Sequence, residues 1–119
     1  MSVQDDLWFD ATKCFIGGTW VAPLGGEYLS LENPSDGSEI AKIARGKLGD
    51  VDAAVQAAKN ALTGEWGRMT ALERGRILTR IGQLVLERVD ELARLEAADV
   101  GKPLKQARAD AVALARYMD

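Results

Sequence analysis

Apolar residues recur with two different periods along the chain, and the change from one period to the other predicts its architecture. In the first part, two short β-forming runs flank Gly17-Gly18, a glycine pair typical of a tight hairpin between strands. Residues 28–32 alternate between polar and apolar side chains and predict a strand, and residues 39–43 predict another after a turn. We therefore expect a β region over residues 14–45.

From Asp50 onward the apolar period becomes that of an amphipathic helix. The first stripe runs from Val51 to Leu62, and Gly64 follows it where we expect a left-handed C-terminal cap. Further stripes of the same period continue almost to the last residue. Residues 50–119 are thus predicted to form three or four helices.

Capping and breaking residues divide this helical region. Thr70 and Glu73 have the spacing of a capping box, in which a hydroxyl and a carboxylate each accept a backbone hydrogen bond at a helix start. The apolar pattern weakens near Val89-Asp90, where an acid favours the positive end of a new helix. Gly101 and Pro103 are expected to end the next stretch.

Length, composition and charge indicate one soluble globular domain or part of one. The chain has 119 residues, of which 47% are hydrophobic and 28% are charged, close to the average for such proteins. A net charge of −3 gives no general attraction to nucleic acid or to anionic membranes. The start is acidic, unlike a secretory signal, and a single cysteine cannot form an internal disulfide. We therefore expect a cytoplasmic protein with no nucleic acid or membrane partner.

Histidine is absent, which excludes catalytic pairs that use an imidazole base and zinc sites built on imidazole. Cys14 is then the first candidate nucleophile, because it is the only thiol. It lies at the start of a predicted strand with no histidine to act as its base, so a structural role is the preferred interpretation.

Four other groups of residues have both a chemical and a structural interpretation. The glycine pairs belong to no dinucleotide or P-loop motif, so turns are preferred over phosphate binding. The arginines are interleaved with acids and lack aromatic neighbours, so a solvated helix face is preferred over a nucleic-acid surface. The acids likewise predict a solvated face, and the tryptophans predict core or interface anchors. The groups are Gly17-Gly18 with Gly25-Gly26; Arg74, Arg76, Arg80 and Arg88; Glu87, Asp90, Glu91 and Glu96; and Trp8, Trp20 and Trp66.

Five blocks of sequence resemble the opening of the aldehyde dehydrogenase superfamily. Each block is short, but the five follow the family's order with similar gaps and cover nearly all of residues 15–119. A closing stretch, Ala115-Arg116-Tyr117, is similar to the one that leads toward the family's oligomerisation strand. The blocks are FIGGTW (15–20), NPSDGSEI (33–40), DVDAAVQAA (50–58), WGRMTALERGRIL (66–78) and LEAADVGKPL (95–104).

The resemblance implies an α/β parent fold with a Rossmann-type cofactor domain. This chain would supply the N-terminal β-hairpin, the short strands and the helices that follow. Residues 1–13 would form an N-terminal arm, and residues 14–119 would form the N-terminal part of an NAD(P)-binding domain that is incomplete. Family members are several times longer, so the first partner implied is the remainder of the enzyme subunit. A homodimer or homotetramer is implied for the full-length protein.

The resemblance also implies an activity. Family members oxidise a small-molecule aldehyde to a carboxylic acid through a cysteine thiohemiacetal and thioester, with a glutamate base and with NAD or NADP as cofactor. None of those motifs occurs here, and Cys14 does not fall in the family's catalytic block. We therefore expect the catalytic and cofactor-binding residues to lie outside this chain, which alone would be inactive. A non-catalytic, stand-alone interaction domain derived from the same fold is the alternative.

One site carries over from the family pattern to residues of this chain. In some members a monovalent cation, K⁺ or Na⁺, is held by backbone carbonyls just before the Asn-Pro pair and by the aspartate of the Asp-x-Gly-Lys-Pro block. The corresponding positions are Leu31, Glu32 and Asp99. Such ions prefer oxygen ligands, which an interrupted strand and a carboxylate supply. The alternative is that Asp99 merely caps or hydrogen-bonds a turn.

Overall fold

The computed structural model describes residue 3 and residues 7–119, in which short strands precede the helices. By contact the chain divides into two compact units, one with residues 37–68 and the described residues up to 32, the other with residues 33–36 and 69–119. The strands are β1 Cys14–Ile16, β2 Thr19–Val21, β3 Tyr28–Glu32 and β4 Glu39–Ala44. The helices are α1 Leu48–Thr63, α2 Glu65–Arg68, α3 Ala71–Glu87, α4 Val89–Val100 and α5 Leu104–Tyr117.

The strands of the first unit form two antiparallel pairs. In the first pair β1 runs against β2, with Phe15 opposite Trp20. Gly17 and Gly18 have φ angles of 62° and 81°, the left-handed values that a two-residue hairpin turn requires. The hairpin predicted at this glycine pair is therefore confirmed. Of the N-terminal arm predicted over residues 1–13, residues 1, 2 and 4–6 lie outside the described part of the chain.

The second pair joins β3 to β4, the two strands that were predicted over residues 28–32 and 39–43. Its ladder is regular from Tyr28 to Leu31 and then shifts by one residue, because Leu31 faces Ala41 whereas Glu32 faces Glu39. Ile40 is the extra residue of this bulge, and it is buried together with Ala41. This sheet therefore contributes the buried apolar residues of the first unit, and its regular pairing ends at Leu31.

Helix α1 begins at Leu48, two residues before the predicted start, and ends at Thr63. Gly64 follows it with φ −88° and ψ −154°, an extended conformation. The prediction of a left-handed cap at Gly64 was wrong. The Gly64 N–H donates to the carbonyls of Asn60 and Ala61 from the extended conformation, and α2 starts at the next residue.

Helix α3 of the second unit begins with the predicted capping box. The backbone N–H of Glu73 donates to Thr70 Oγ1 at 3.3 Å, and the N–H of Thr70 donates to Glu73 Oε2 at 2.7 Å. The predicted break is also present, because α3 ends at Glu87 and α4 begins at Val89. A single residue, Arg88, separates the two helices.

Small residues form the contacts between the helices of the second unit. Ala93 of α4 and Ala107, Ala111 and Ala115 of α5 are buried. Gly82 of α3 is also buried, and a Cβ on it would lie 2.9 Å from the carbonyl oxygen of Ala115. The helices can approach this closely because no large side chain stands between their backbones.

Most of the large apolar side chains of α1 and α3 are exposed in this chain, although their spacing is that of core-facing helices. Leu62 is 66% exposed and Leu72 is 66% exposed, whereas the buried hydrophobic residues among those described are Ile40 and five alanines. The tryptophans are exposed as well, so within this chain they are not core anchors. No described helix is both long and apolar enough to cross a bilayer. The exposed set includes Val51, Val55 and Leu62 in α1, Leu72, Ile77, Ile81 and Leu84 in α3, and Trp8, Trp20 and Trp66.

Candidate functional site

Asp99, the predicted cation ligand of the second unit, lies in the last turn of α4 with its side chain exposed. Within the part of the chain that the structure describes, its carboxylate takes part in no hydrogen bond or ion pair. It therefore does not hydrogen-bond the turn that follows α4, which was the alternative interpretation. Both carboxylate oxygens remain available to another ligand, and oxygen donors of this kind suit a hard cation.

Leu31 and Glu32, the predicted carbonyl ligands, lie in the first unit at the end of β3. The one-residue shift of the β3–β4 ladder falls between these two residues. The extra residue of the bulge, Ile40, belongs to β4, so the regular ladder is interrupted opposite Leu31 and Glu32. The chemistry of these donors fits a monovalent cation, and the three-residue ligand set stays a prediction.

The turn after α4 is built around two residues of the Asp-x-Gly-Lys-Pro block. Gly101 has φ +73°, a left-handed value, and its N–H donates to the Ala97 carbonyl at 3.0 Å. A Cβ on Gly101 would lie 3.1 Å from Cγ of Pro34, so the Asn-Pro turn is packed against this glycine. Pro103 then precedes the first residue of α5. Two of the family-like blocks thus meet inside one compact unit.

Lys102 completes this corner with two ion pairs. Its Nζ lies 2.8 Å from Oε1 of Glu96 on α4 and 2.7 Å from Oδ2 of Asp110 on α5. Hydrogen bonds to Asp110 and then to Glu96 raise the pKa of Lys102 above its usual 10.5, so the group stays charged. The sequence did not reveal this bridge, because Lys102 and Asp110 are eight residues apart across a helix break.

Asp50 is a second residue whose role the sequence did not reveal. It is 5% exposed, and its carboxylate accepts hydrogen bonds from the backbone N–H groups of Lys47 at 2.9 Å and Leu24 at 3.0 Å. These bonds, from Lys47 first and then Leu24, lower the pKa of Asp50 below 3.8. One carboxylate therefore caps the start of α1 and fixes the loop before β3. An acid three residues into a helix was the only sequence signal for the capping half of this role.

Cys14 lies in β1 opposite Val21 and is partly buried. Its position in a strand agrees with the structural role preferred from the sequence. Among the described residues, no three His, Cys, Asp or Glu side chains cluster as ligands for a metal ion. That finding does not bear on the predicted cation site, which uses one carboxylate and backbone carbonyls.

A dinucleotide site cannot be assembled from the described residues alone. Their strands form two separate antiparallel pairs, without the parallel strands of a Rossmann-type sheet. The sequence also lacks a glycine-rich loop that opens a helix onto a phosphate. The residues present therefore do not fit NAD or NADP by themselves, and no step of a hydride transfer can be assigned to them.

Two arginines of α3 contact their own helix or the segment before it. Arg74 donates from a guanidinium N–H to the Met69 carbonyl at 2.6 Å, and Arg80 pairs with Glu87 at 3.1 Å. Asp90 of α4 pairs with Arg108 of α5 at 2.9 Å. Arg80, Glu87 and Asp90 are exposed, in agreement with the solvated helix faces preferred from the sequence.

Comparison with known proteins gives one consistent result. Residues 20–119 match the family model described as the aldehyde dehydrogenase family. Among curated relatives, the mitochondrial 10-formyltetrahydrofolate dehydrogenases of mouse and human are 47% and 48% identical over 90 residues. The cytosolic 10-formyltetrahydrofolate dehydrogenase of Xenopus tropicalis is 42% identical over 90 residues. Each alignment covers 75% of this chain and 10% of the relative, so the chain spans about a tenth of these proteins.

Solved structures agree with the sequence comparison. A crystal structure assigned to the aldehyde dehydrogenases, from Burkholderia cenocepacia, is 52% identical with a TM-score of 0.88, and the match covers 89% of this chain and 22% of that one. An aldehyde dehydrogenase from Bacillus cereus is 34% identical with a TM-score of 0.84, over 92% and 23%. A betaine aldehyde dehydrogenase from Staphylococcus aureus in complex with NAD⁺ is 31% identical with a TM-score of 0.84, over 90% and 22%.

Proposed function

Because this chain belongs to the aldehyde dehydrogenase family, we propose that it is the N-terminal part of an NAD(P)-dependent enzyme that oxidises an aldehyde to a carboxylic acid. The observation that carries the proposal is the family match over residues 20–119. The structural match covers 89% of this chain but only 22% of the Burkholderia chain. The activity is therefore assigned to a longer polypeptide that includes this segment.

The exposed apolar faces support this assignment. Burial of apolar surface is the main favourable term in folding, and large exposed patches are typical of surfaces that pack against something else. The apolar stripes of α1 and α3 are exposed in this chain, although their spacing is that of core-facing helices. We assign them to contacts with the remainder of the subunit, in which residues 14–119 would begin the NAD(P)-binding domain.

The chemistry is assigned to residues outside the chain. In the proposed reaction a cysteine thiolate attacks the aldehyde carbonyl, and a thioester is then hydrolysed with the help of a glutamate base. NAD or NADP would accept the hydride, and the NAD⁺ complex of a relative supports a nicotinamide cofactor. The roles of this segment are structural and, at Asp99, cation binding.

We assign Asp99 as a ligand of K⁺ or Na⁺. The carbonyls of Leu31 and Glu32 are the other predicted ligands. The support is chemical. The Asp99 carboxylate is exposed and makes no hydrogen bond or ion pair with a described residue, and regular strand pairing ends at Leu31. A cation at this position would stabilise the folded protein, since a ligand that binds only the native state shifts unfolding by mass action.

Assembly and location are also proposed by analogy with the family. We propose a homodimer or homotetramer of full-length subunits in the cytoplasm. The named relatives include both cytosolic and mitochondrial 10-formyltetrahydrofolate dehydrogenases, and the cytosolic ones support the proposed location.

The activity test uses the full-length polypeptide, with an aliphatic and an aromatic aldehyde and with either NAD⁺ or NADP⁺. We expect reduction of one cofactor by the full-length protein and none by the polypeptide 1–119. Cys14→Ser in the full-length protein should leave kcat unchanged, because this strand cysteine is not the nucleophile. Loss of activity in that variant would contradict the proposal.

Sharp, cooperative unfolding of a monomeric 1–119 polypeptide that also captures a partner would favour the interaction-domain alternative.

The cation test measures the thermal stability of the full-length protein with increasing KCl or NaCl at constant ionic strength. We expect a saturable rise in Tm that Asp99→Ala abolishes. Asp52→Ala is the matched control, since it removes an exposed acid of α1 and should preserve the rise. A Tm that does not respond to either ion, or an identical response in Asp99→Ala, would show that Asp99 binds no cation.

A further inference from the structure

Lys102 is the positively charged residue closest in sequence to Asp99, but its side chain pairs with two other carboxylates. Its ammonium group lies 2.8 Å from the Glu96 carboxylate and 2.7 Å from the Asp110 carboxylate. The side chain is 28% exposed, less than either partner, at 43% and 50%. Lys102 is therefore held between α4 and α5 by its ion pairs with two carboxylates.

Asp99 lies beside this bridge. It is three residues after Glu96 on α4, and residues three apart are neighbours on a helix surface, with about 5–6 Å between their Cβ atoms. A flexible four-carbon lysine stem could move its ammonium group over that distance. In the structure the ammonium group does not pair with Asp99, and the Asp99 carboxylate has no ion pair with a described residue.

We propose that Glu96 and Asp110 hold the ammonium group of Lys102 away from Asp99, so that Asp99 stays open to a monovalent cation from solution. The inference rests on the proposed role of Asp99 as a cation ligand and adds a mechanism that protects it. Glu96 and Asp110 are positioning residues in this scheme, because they act on the site through Lys102 and do not bind the ion.

The size of the effect follows from the strength of an exposed ion pair. If Lys102 lost one of its acceptors, it would compete with the external ion for Asp99. Exposed pairs are worth little in water, so the competition should weaken cation binding by about 1.5-fold to fivefold. A shift of that size is measurable as a change in the cation concentration that gives half of the maximal thermal stabilisation.

The experiment titrates the full-length protein with KCl, with tetramethylammonium chloride keeping the ionic strength constant. Asp110→Asn removes one acceptor of Lys102, and its half-maximal K⁺ concentration should rise by about 1.5-fold to fivefold. Glu96→Gln should act in the same direction and serves as the second variant if Asp110→Asn does not fold. Asp90→Asn is the control, since it also removes one negative charge and one α4–α5 ion pair, with Arg108. It should lower Tm at most and leave the K⁺ midpoint unchanged.

A double-mutant cycle separates this mechanism from a simple change of electric field. In a Lys102→Met background there is no ammonium group to release, so Asp110→Asn should no longer shift the K⁺ midpoint. A field effect would instead give the same shift in both backgrounds, and that result would overturn the proposal. Equal midpoints for the wild type, Asp110→Asn and Glu96→Gln would overturn it as well. A wild-type protein whose Tm ignores K⁺ would refute the Asp99 site itself, which is a different failure.

Discussion

Gly101 and Pro34 are packed so closely that a Cβ on the glycine would lie 3.1 Å from Cγ of the proline. Both residues belong to the second unit, although 67 positions of sequence, from 34 to 101, separate them. Gly101 is also in the left-handed region, with φ +73°. Two independent constraints therefore act on one position, and each of them disfavours a side chain.

The first prediction is that Gly101→Ala destabilises the full-length protein. A left-handed non-glycine residue costs about 1–2 kcal/mol, and the contact with Pro34 adds to that cost unless the proline moves. Denaturant unfolding followed by circular dichroism would measure the change in the free energy of unfolding. A stability equal to that of the wild type would mean that the turn rearranges without cost.

Gly75→Ala is predicted to have the opposite effect. Gly75 lies inside α3, and a Cβ on it meets no atom of the described chain within 4 Å. Replacing a helix-interior glycine by alanine reduces the freedom of the unfolded chain and stabilises by roughly 0.5–1 kcal/mol. The same unfolding measurement applies. Destabilisation would indicate that another part of the full-length subunit approaches the backbone at Gly75.

The third prediction concerns Asp50 and pH. Hydrogen bonds from Lys47 and Leu24 lower the pKa of Asp50 below 3.8, so the ionised form is favoured in the folded state. Its contribution to stability is complete above the pKa of the unfolded chain, about 3.9, and is lost as the pH falls through the lower folded value. We expect Asp50→Asn to lower Tm near neutral pH and to reduce the further loss of Tm below about pH 4.

Asp52→Asn provides the control for that experiment, because Asp52 lies in the same helix with an exposed side chain. Its Tm should follow the wild type across the acid range. If Asp50→Asn and Asp52→Asn gave superimposable curves, the two backbone hydrogen bonds of Asp50 would contribute nothing measurable.

The fourth prediction concerns the start of α3. Thr70→Ala removes the hydroxyl that accepts from the Glu73 N–H and should lower the free energy of unfolding by about 1 kcal/mol. Thr70→Ser keeps the hydroxyl and should retain most of the stability. Urea unfolding of the two variants would decide the point, and equal losses in both would show that the methyl group of Thr70, and not the cap, is responsible.

Local signals explain the features that were predicted correctly. The hairpin at Gly17-Gly18, the capping box at Thr70 and the helix end at Gly101 each depend on residues within a few positions of one another. Gly64 shows the limit of such signals, because a glycine after a helix favours but does not require a left-handed cap. There the next helix starts at once, and the chain stays extended.

The candidate site was predictable only in part. The family-like pattern singled out Leu31, Glu32 and Asp99, but the bridge of Lys102 to Glu96 and Asp110 had no sequence signal. Charges on two helices can pair in many ways, and the packing of α4 against α5 selects one of them. The same holds for Asp50, whose hydrogen bond to Leu24 spans 26 residues.

The sequence by itself determined that short strands precede helices, the hairpin turn at Gly17-Gly18, the capping box at Thr70 and the family, because each is encoded in short-range patterns or in the order of such patterns. The tertiary structure alone decided that Pro34 meets Gly101, that Asp50 accepts a hydrogen bond from Leu24, and that Lys102 bridges Glu96 and Asp110. The tertiary structure also shows that the apolar faces of α1 and α3 are exposed within the described part of the chain. Periodicity shows that a helix has an apolar face, but burial depends on which other surfaces are close enough to cover it.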